Sequence, residues 1–142
     1  MRQQVRTSGP LVGQVAAARP ATVRTAIELI EADPQAPLTV SVLAAQCGVG
    51  SRMLQKGFQQ HLGLSPMEYL RDVRLRRAHE ELRGADPYVE SVAAVARRWG
   101  FTHLGRFAAA HEAKYGKKPL RTLRGQPGSG SGSLLGMPDS PR

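Results

Sequence analysis

An internal repeat constrains this chain more than any other feature. Thr39, Val40, Leu43, Ala44, Gly48 and Val49 reappear as Ser91, Val92, Val95, Ala96, Gly100 and Phe101, each 52 positions on. Beyond that point the displacement becomes 53: Leu54 matches Phe107, Gly63 matches Gly116 and Pro66 matches Pro119. One copy therefore has a turn one residue longer than the other. Each copy reads as a capped helix, a Gly turn, a second helix, and a closing Gly before Pro. A small residue four before the turn glycine, Ala44 or Ala96, lets the two helices cross closely. An apolar residue just after it, Val49 or Phe101, plugs the turn into the core. These are the requirements of a helix-turn-helix.

The surrounding periodicity is also helical. Ala26, Ile27, Leu29 and Ile30 follow a 3–4 spacing, and Asp33-Pro34 stops that first helix. Thr39 caps a second helix ending at Gly48, where glycine suits the left-handed position past a helix end. A third helix begins near Ser51 and buries Leu54 and Phe58. Ser65-Pro66-Met67-Glu68 is a capping box with proline at the first helical position. It opens a long, Arg-rich linker helix that reaches about Leu82. No hairpin signal appears anywhere. The predicted fold is all-α: two helix-turn-helix subdomains joined by a long linker helix, about seven helices in total.

The expected organisation has three parts. Residues 1–20, with Gly9-Pro10 and Arg19-Pro20, read as a flexible lead-in. Residues 21–124 form the ordered domain, with a first unit at about 38–64, a linker at about 66–83 and a second unit at about 89–117. Residues 125–142 are Gly/Ser/Pro-rich and bury too little to fold, as in a flexible tail.

Charge narrows the choice of partner. The 142 residues carry 20 Lys and Arg against 11 Asp and Glu, a formal +9, which favours a polyanion such as nucleic acid or an anionic membrane surface. Cys47 is the lone cysteine, so no intramolecular disulfide or Cys-rich metal site can form. That fits a reducing compartment. No apolar run is long enough to span a bilayer, and Met1-Arg2-Gln3-Gln4 lacks a signal-peptide core, so the expected location is the cytoplasm. The four His show no metal spacing. No paired acids, nucleophile–base set or phosphate loop appears, so neither an enzyme nor a cofactor is expected. With aromatics at 5%, a stacking platform for single strands is not expected either.

The stretches Leu43-Ala44-Ala45-Gln46-Cys47-Gly48-Val49, Leu54-Gln55-Lys56-Gly57-Phe58 and Gly63-Leu64-Ser65-Pro66-Met67-Glu68-Tyr69-Leu70 carry a resemblance. So do Val95-Ala96, Trp99-Gly100-Phe101, His103-Leu104-Gly105-Arg106-Phe107 and Lys118-Pro119. Across residues 21–124 the chain resembles the C-terminal DNA-binding domain of the AraC/XylS family of bacterial transcription regulators. The resemblance implies double-stranded DNA as partner, with RNA polymerase as a further one. It also implies that the separate effector-binding domain of larger members is absent from this chain. Two departures stand out: His111 occupies a usually apolar or aromatic position, and Lys118 stands where Ser or Thr is commoner.

A recognition helix presents its N-terminal residues to base edges in the major groove. In the first unit the positions around Leu54 and Phe58 are Arg52, Met53, Gln55, Lys56 and Gln59. Arg52 suits guanine and Gln55 adenine, while Lys56 reaches guanine or phosphate. In the second unit the outward residues include His103, Leu104 and Arg106, with Arg106 the leading base reader. Replacing Arg106 with Ala should then relax preference at particular bases, and a uniform loss would contradict that role. Phosphate contacts are expected from Thr39, Gln59, Arg74, Ser91 and Lys114. For Arg71, Arg74, Arg76 and Arg77 on the linker, a solvated charged face competes evenly with phosphate contact. Two recognition helices in successive major grooves would lie about 34 Å apart on straight DNA. The rival readings are a basic protein-interaction module and an architectural DNA protein, which would show steep salt dependence with little sequence preference.

Overall fold

The computed structural model describes residues 15–125, which form seven α-helices with no strand among them. They are α1 (Pro20–Ala32), α2 (Val40–Gln46), α3 (Ser51–Leu62), α4 (Pro66–Gly84), α5 (Val92–Arg98), α6 (Leu104–Tyr115) and α7 (Pro119–Leu123). The chain divides between Leu70 and Arg71, part-way along α4, into two compact units.

In the first unit, α1 opens with Pro20, whose missing N–H is no loss at a helix start. It buries Val23, Ala26 and Ile30, whereas Ile27 and Leu29 are half-buried. At α2, Thr39 Oγ1 accepts a hydrogen bond from the Val42 N–H at 3.1 Å. The helix buries Leu43 and Ala44, and α3 sets Leu54, Gly57 and Phe58 into the same core. The capping box closes at both ends: the Ser65 N–H donates to Glu68 Oε1 at 2.8 Å, and the Glu68 N–H to Ser65 Oγ at 3.1 Å. Tyr69, in the first turn of α4, packs edge-on against Phe58 and donates its hydroxyl hydrogen to Glu31 at 2.8 Å.

The lead-in differs from expectation at its last residues. Ala18 is 3% exposed, and its N–H donates to the Met53 carbonyl at 3.1 Å. A Cβ on Gly57 would lie 2.8 Å from Ala18 Cβ and 3.0 Å from Val23 Cγ2. The bare backbone of α3 thus admits the segment entering α1. The lead-in was expected to be loose up to Pro20, but a facing glycine lets Ala18 bury against α3. The flexible ends expected over 1–14 and 126–142 lie outside the described residues.

The second unit repeats the plan. Ser91 Oγ accepts from the Ala94 N–H at 3.1 Å, as Thr39 does for Val42. Leu75, Ala78 and Leu82 from α4 join Val95, Ala96, Phe107 and Leu123 in one core. Both α3 and α6 have 12 residues, so the extra residue implied by the change of displacement falls in the turn before α6. Lys118 precedes α7 without a side-chain cap, the consequence of its departure from Ser or Thr.

Candidate nucleic-acid interface

The two turns are built alike, bond for bond. In the first, the Gly48 N–H donates to Ala45 O at 3.1 Å and the Val49 N–H to Ala44 O at 3.0 Å. In the second, the Gly100 N–H donates to Arg97 O at 3.0 Å and the Phe101 N–H to Ala96 O at 2.9 Å. Gly48 sits at φ 73° and Gly100 at φ 89°, a conformation that a Cβ strains. Each glycine reverses the chain shortly before a recognition helix, with two residues intervening before α3 and three before α6. Phe101 then turns inward, its ring 4.9 Å from that of Phe107.

On α3, the residues expected to meet DNA divide by exposure. Arg52, Gln55, Lys56 and Gln59 are exposed, while Met53 is half-buried with its carbonyl committed to Ala18. On the second unit, His103 caps α6 through its backbone, and Leu104 and Arg106 follow, all three exposed. An exposed apolar Leu104, 43% accessible on a helix start, is the kind of group that meets a thymine methyl. Thr39 and Ser91 are exposed, and each hydroxyl oxygen accepts a helix N–H.

Two expected phosphate contacts are held within the protein. Lys114 Nζ lies 2.6 Å from Asp72 Oδ1 and 5.8 Å from the centre of the Tyr115 ring. Arg74 is half-buried against the second turn: a Cβ on Gly100 would lie 3.1 Å from its guanidinium. Burial lowers the Arg74 pKa from its usual value. Sequence spacing places these cations on the right helices but does not show what they touch.

A family model described as a helix-turn-helix domain matches residues 43–125, which takes in both turns and both recognition helices. A solved structure described as a probable AraC family transcriptional regulator from Rhodopseudomonas palustris CGA009 is 41% identical, with a TM-score of 0.69, and the match covers 75% of this chain and 99% of that one. The chain belongs to the AraC/XylS family. A second AraC-type structure, from Chromobacterium violaceum, is 28% identical with a TM-score of 0.66 over 76% of this chain and 96% of its own. The probable thc operon regulatory protein of Rhodococcus erythropolis is 44% identical over 110 residues, 78% of this chain and 33% of that protein. The XylDLEGF operon transcriptional activator 2 of Pseudomonas putida is 31% identical over 97 residues, 68% of this chain and 62% of its own. This chain thus spans about a third of the first of these curated relatives and less than two thirds of the second.

Within this AraC/XylS-type domain, the structure shows how the unusual His111 is accommodated. His111 is 0% exposed. Its Nδ1 donates to the Lys117 carbonyl at 2.7 Å, which leaves Nε2 to accept from His79 Nδ1 at 2.9 Å. His79 in turn stacks on Tyr115, ring centres 3.6 Å apart and planes within 6°. Burial, reinforced by the charge of His111 and of nearby Arg83, Lys117 and Lys114, pushes the His79 pKa down to about 4. Burial also lowers that of His111. Both rings are thus engaged within the protein. Cys47 is half-buried and its thiol pKa is raised by that burial, the opposite of what a nucleophile requires. Among the described residues no group of three His, Cys, Asp or Glu could hold a metal ion, and no helix is long and apolar enough to cross a membrane.

Proposed function

We propose that this domain binds a specific double-stranded DNA site as a regulator of bacterial transcription, with α3 and α6 each entering a major groove. The observation that carries the reading is the exposed polar face of α3, where Arg52, Gln55 and Lys56 stand outward over the buried pair Leu54 and Phe58. Arg52 then pairs with guanine and Gln55 with adenine, while Lys56 takes guanine or phosphate. Met53, half-buried, contributes its exposed edge. On α6, His103 and Leu104 form the corresponding edge, with Arg106 exposed beside them. Thr39, Gln59 and Ser91 flank these helices as phosphate donors.

RNA polymerase is the second partner in this proposal. Tyr88 and Val89, between α4 and α5, are 96% and 83% exposed, and they offer a protein an apolar contact. The domain acts in the cytoplasm and needs neither cofactor nor catalysis. Selection of tight binders from a random duplex pool at near-physiological salt tests the core of this reading. Two separate blocks of base preference, bound about 10³-fold better than scrambled DNA, are the expected result. Recovery of no motif overturns it in favour of an architectural or protein-binding module.

A further inference from the structure

The second unit holds an open cleft of about 490 Å3 beside the start of α6. Arg71, in the second turn of α4, lines it together with Arg106 of α6, and Thr102 and His103 complete its polar wall. Phe101 and Ala110 supply an apolar surface. No acidic residue lines the cleft.

Arg71 and Arg106 are both exposed, and among the described residues neither makes an ion pair or a side-chain hydrogen bond. Other cations of the same unit are neutralised: Arg98 by Glu81 and Glu90, Lys114 by Asp72. Two unpaired guanidiniums lining one concavity repel each other, and an anion between them removes that repulsion. The guanidinium fork matches phosphate oxygens in pairs, and a concave wall focuses the field of both charges. Phe101 and Ala110 suit the apolar edge of a sugar joined to that phosphate. A duplex presented to His103 and Leu104 would carry its backbone past this position.

We propose that the cleft seats one backbone phosphate of the bound duplex between Arg71 and Arg106, so that Arg106 anchors the second recognition helix instead of reading a base. The inference rests on the double-stranded DNA reading above and assigns the role of one part of that surface. It reverses the base-reading role that spacing alone gave Arg106, and for Arg71, 35 positions away in sequence, it chooses phosphate contact over a merely solvated face.

The test compares wild type, Arg71→Ala, Arg71→Lys and Arg106→Ala on the selected duplex and on scrambled DNA across a salt series. Each Ala variant should flatten the slope of log affinity against log salt by up to about 0.9, the value for the one phosphate that the two arginines share. Each should weaken both duplexes by the same factor, and Arg106→Ala should select an unchanged motif. Arg71→Lys should keep the slope. A single neutral methylphosphonate at the seated position should weaken wild type more than it weakens Arg71→Ala. The proposal is overturned if Arg71→Ala keeps wild-type slope and affinity, or if Arg106→Ala loses preference at particular base pairs. Both residues are exposed, so helicity should stay unchanged. A wild type that selects no duplex motif would bring down the DNA reading itself, a result distinct from either of those.

Discussion

His79 Nδ1 lies 2.9 Å from His111 Nε2, and it donates there only while His111 Nε2 carries no proton. The Lys117 carbonyl fixes the His111 proton on Nδ1, so protonating Nε2 would set two donors face to face. Both folded pKa values lie below the ordinary 6.5, His79 at about 4. The unfolded chain therefore takes up protons first. The stabilising contribution is complete above about pH 6.5 and is lost as pH falls toward 4. After allowance for solvent screening at the exposed edge of His79, the loss should be on the order of 1–2 kcal/mol. Thermal melts between pH 7.5 and 4 check this. His79→Phe keeps a ring on Tyr115 but does not titrate, so its melting temperature should fall less over the same window. An identical fall would place the acid sensitivity elsewhere.

Gly57 is predicted to be intolerant of even one methyl group. Alanine would ordinarily strengthen a helix interior by about 1 kcal/mol. Here its Cβ would meet Ala18 Cβ at 2.8 Å and the Ala18 backbone nitrogen at 3.1 Å, neither of which can swing aside. Overpacking of that kind costs about 1–3 kcal/mol. The two effects oppose, and Gly57→Ala should be net destabilising by about 1 kcal/mol in urea unfolding. A stabilised variant would mean that the segment around Ala18 is not docked on α3.

Glu81 of α4 anchors α5 through two partners. One carboxylate oxygen accepts from Trp99 Nε1 at 2.7 Å and the other from the Arg98 guanidinium. Trp99 is half-buried, so Glu81→Ala leaves an indole N–H without its acceptor and should cost about 1–3 kcal/mol. Arg98, with its side chain 41% exposed, pairs with Glu81 and Glu90 near solvent, so Arg98→Ala should cost less than about 1 kcal/mol. Paired denaturation curves decide the order. Equal losses would assign the anchor to the ion pair.

The sequence made the two turns legible because each rests on local chemistry repeated twice. A hydroxyl cap, an alanine four before a glycine and an apolar plug appear at Thr39–Val49 and again at Ser91–Phe101, and both fold alike. The change of displacement located the extra turn residue before α6 was seen. Neighbours distant in the chain were not legible. Nothing near His111 announces His79, which satisfies it from 32 positions away. Lys114 reads as a free cation until Asp72 is found beside it, 42 positions off. Ala18 reads as filler until Gly57 faces it. The identity of an exposed residue was readable from helical spacing, but whether its charge was available was set by tertiary contacts.

That difference separates Lys114 from the cations expected to meet DNA. Lys114 is paired with Asp72 at 2.6 Å, and its side chain is 34% exposed. Lys114→Ala removes a charge that is already balanced, so it should leave the salt slope of DNA binding within about 0.3 of wild type. Asp72→Asn should do the opposite, because it releases the Lys114 ammonium while leaving the helix intact. Affinity for any duplex should then rise and the slope should steepen by up to about 0.9, with base preference unchanged. Salt titrations on matched and scrambled duplexes read both variants. If Lys114→Ala instead flattens the slope by a full contact, the Asp72 pair opens on binding and Lys114 reaches phosphate, as its position on the second recognition helix first indicated.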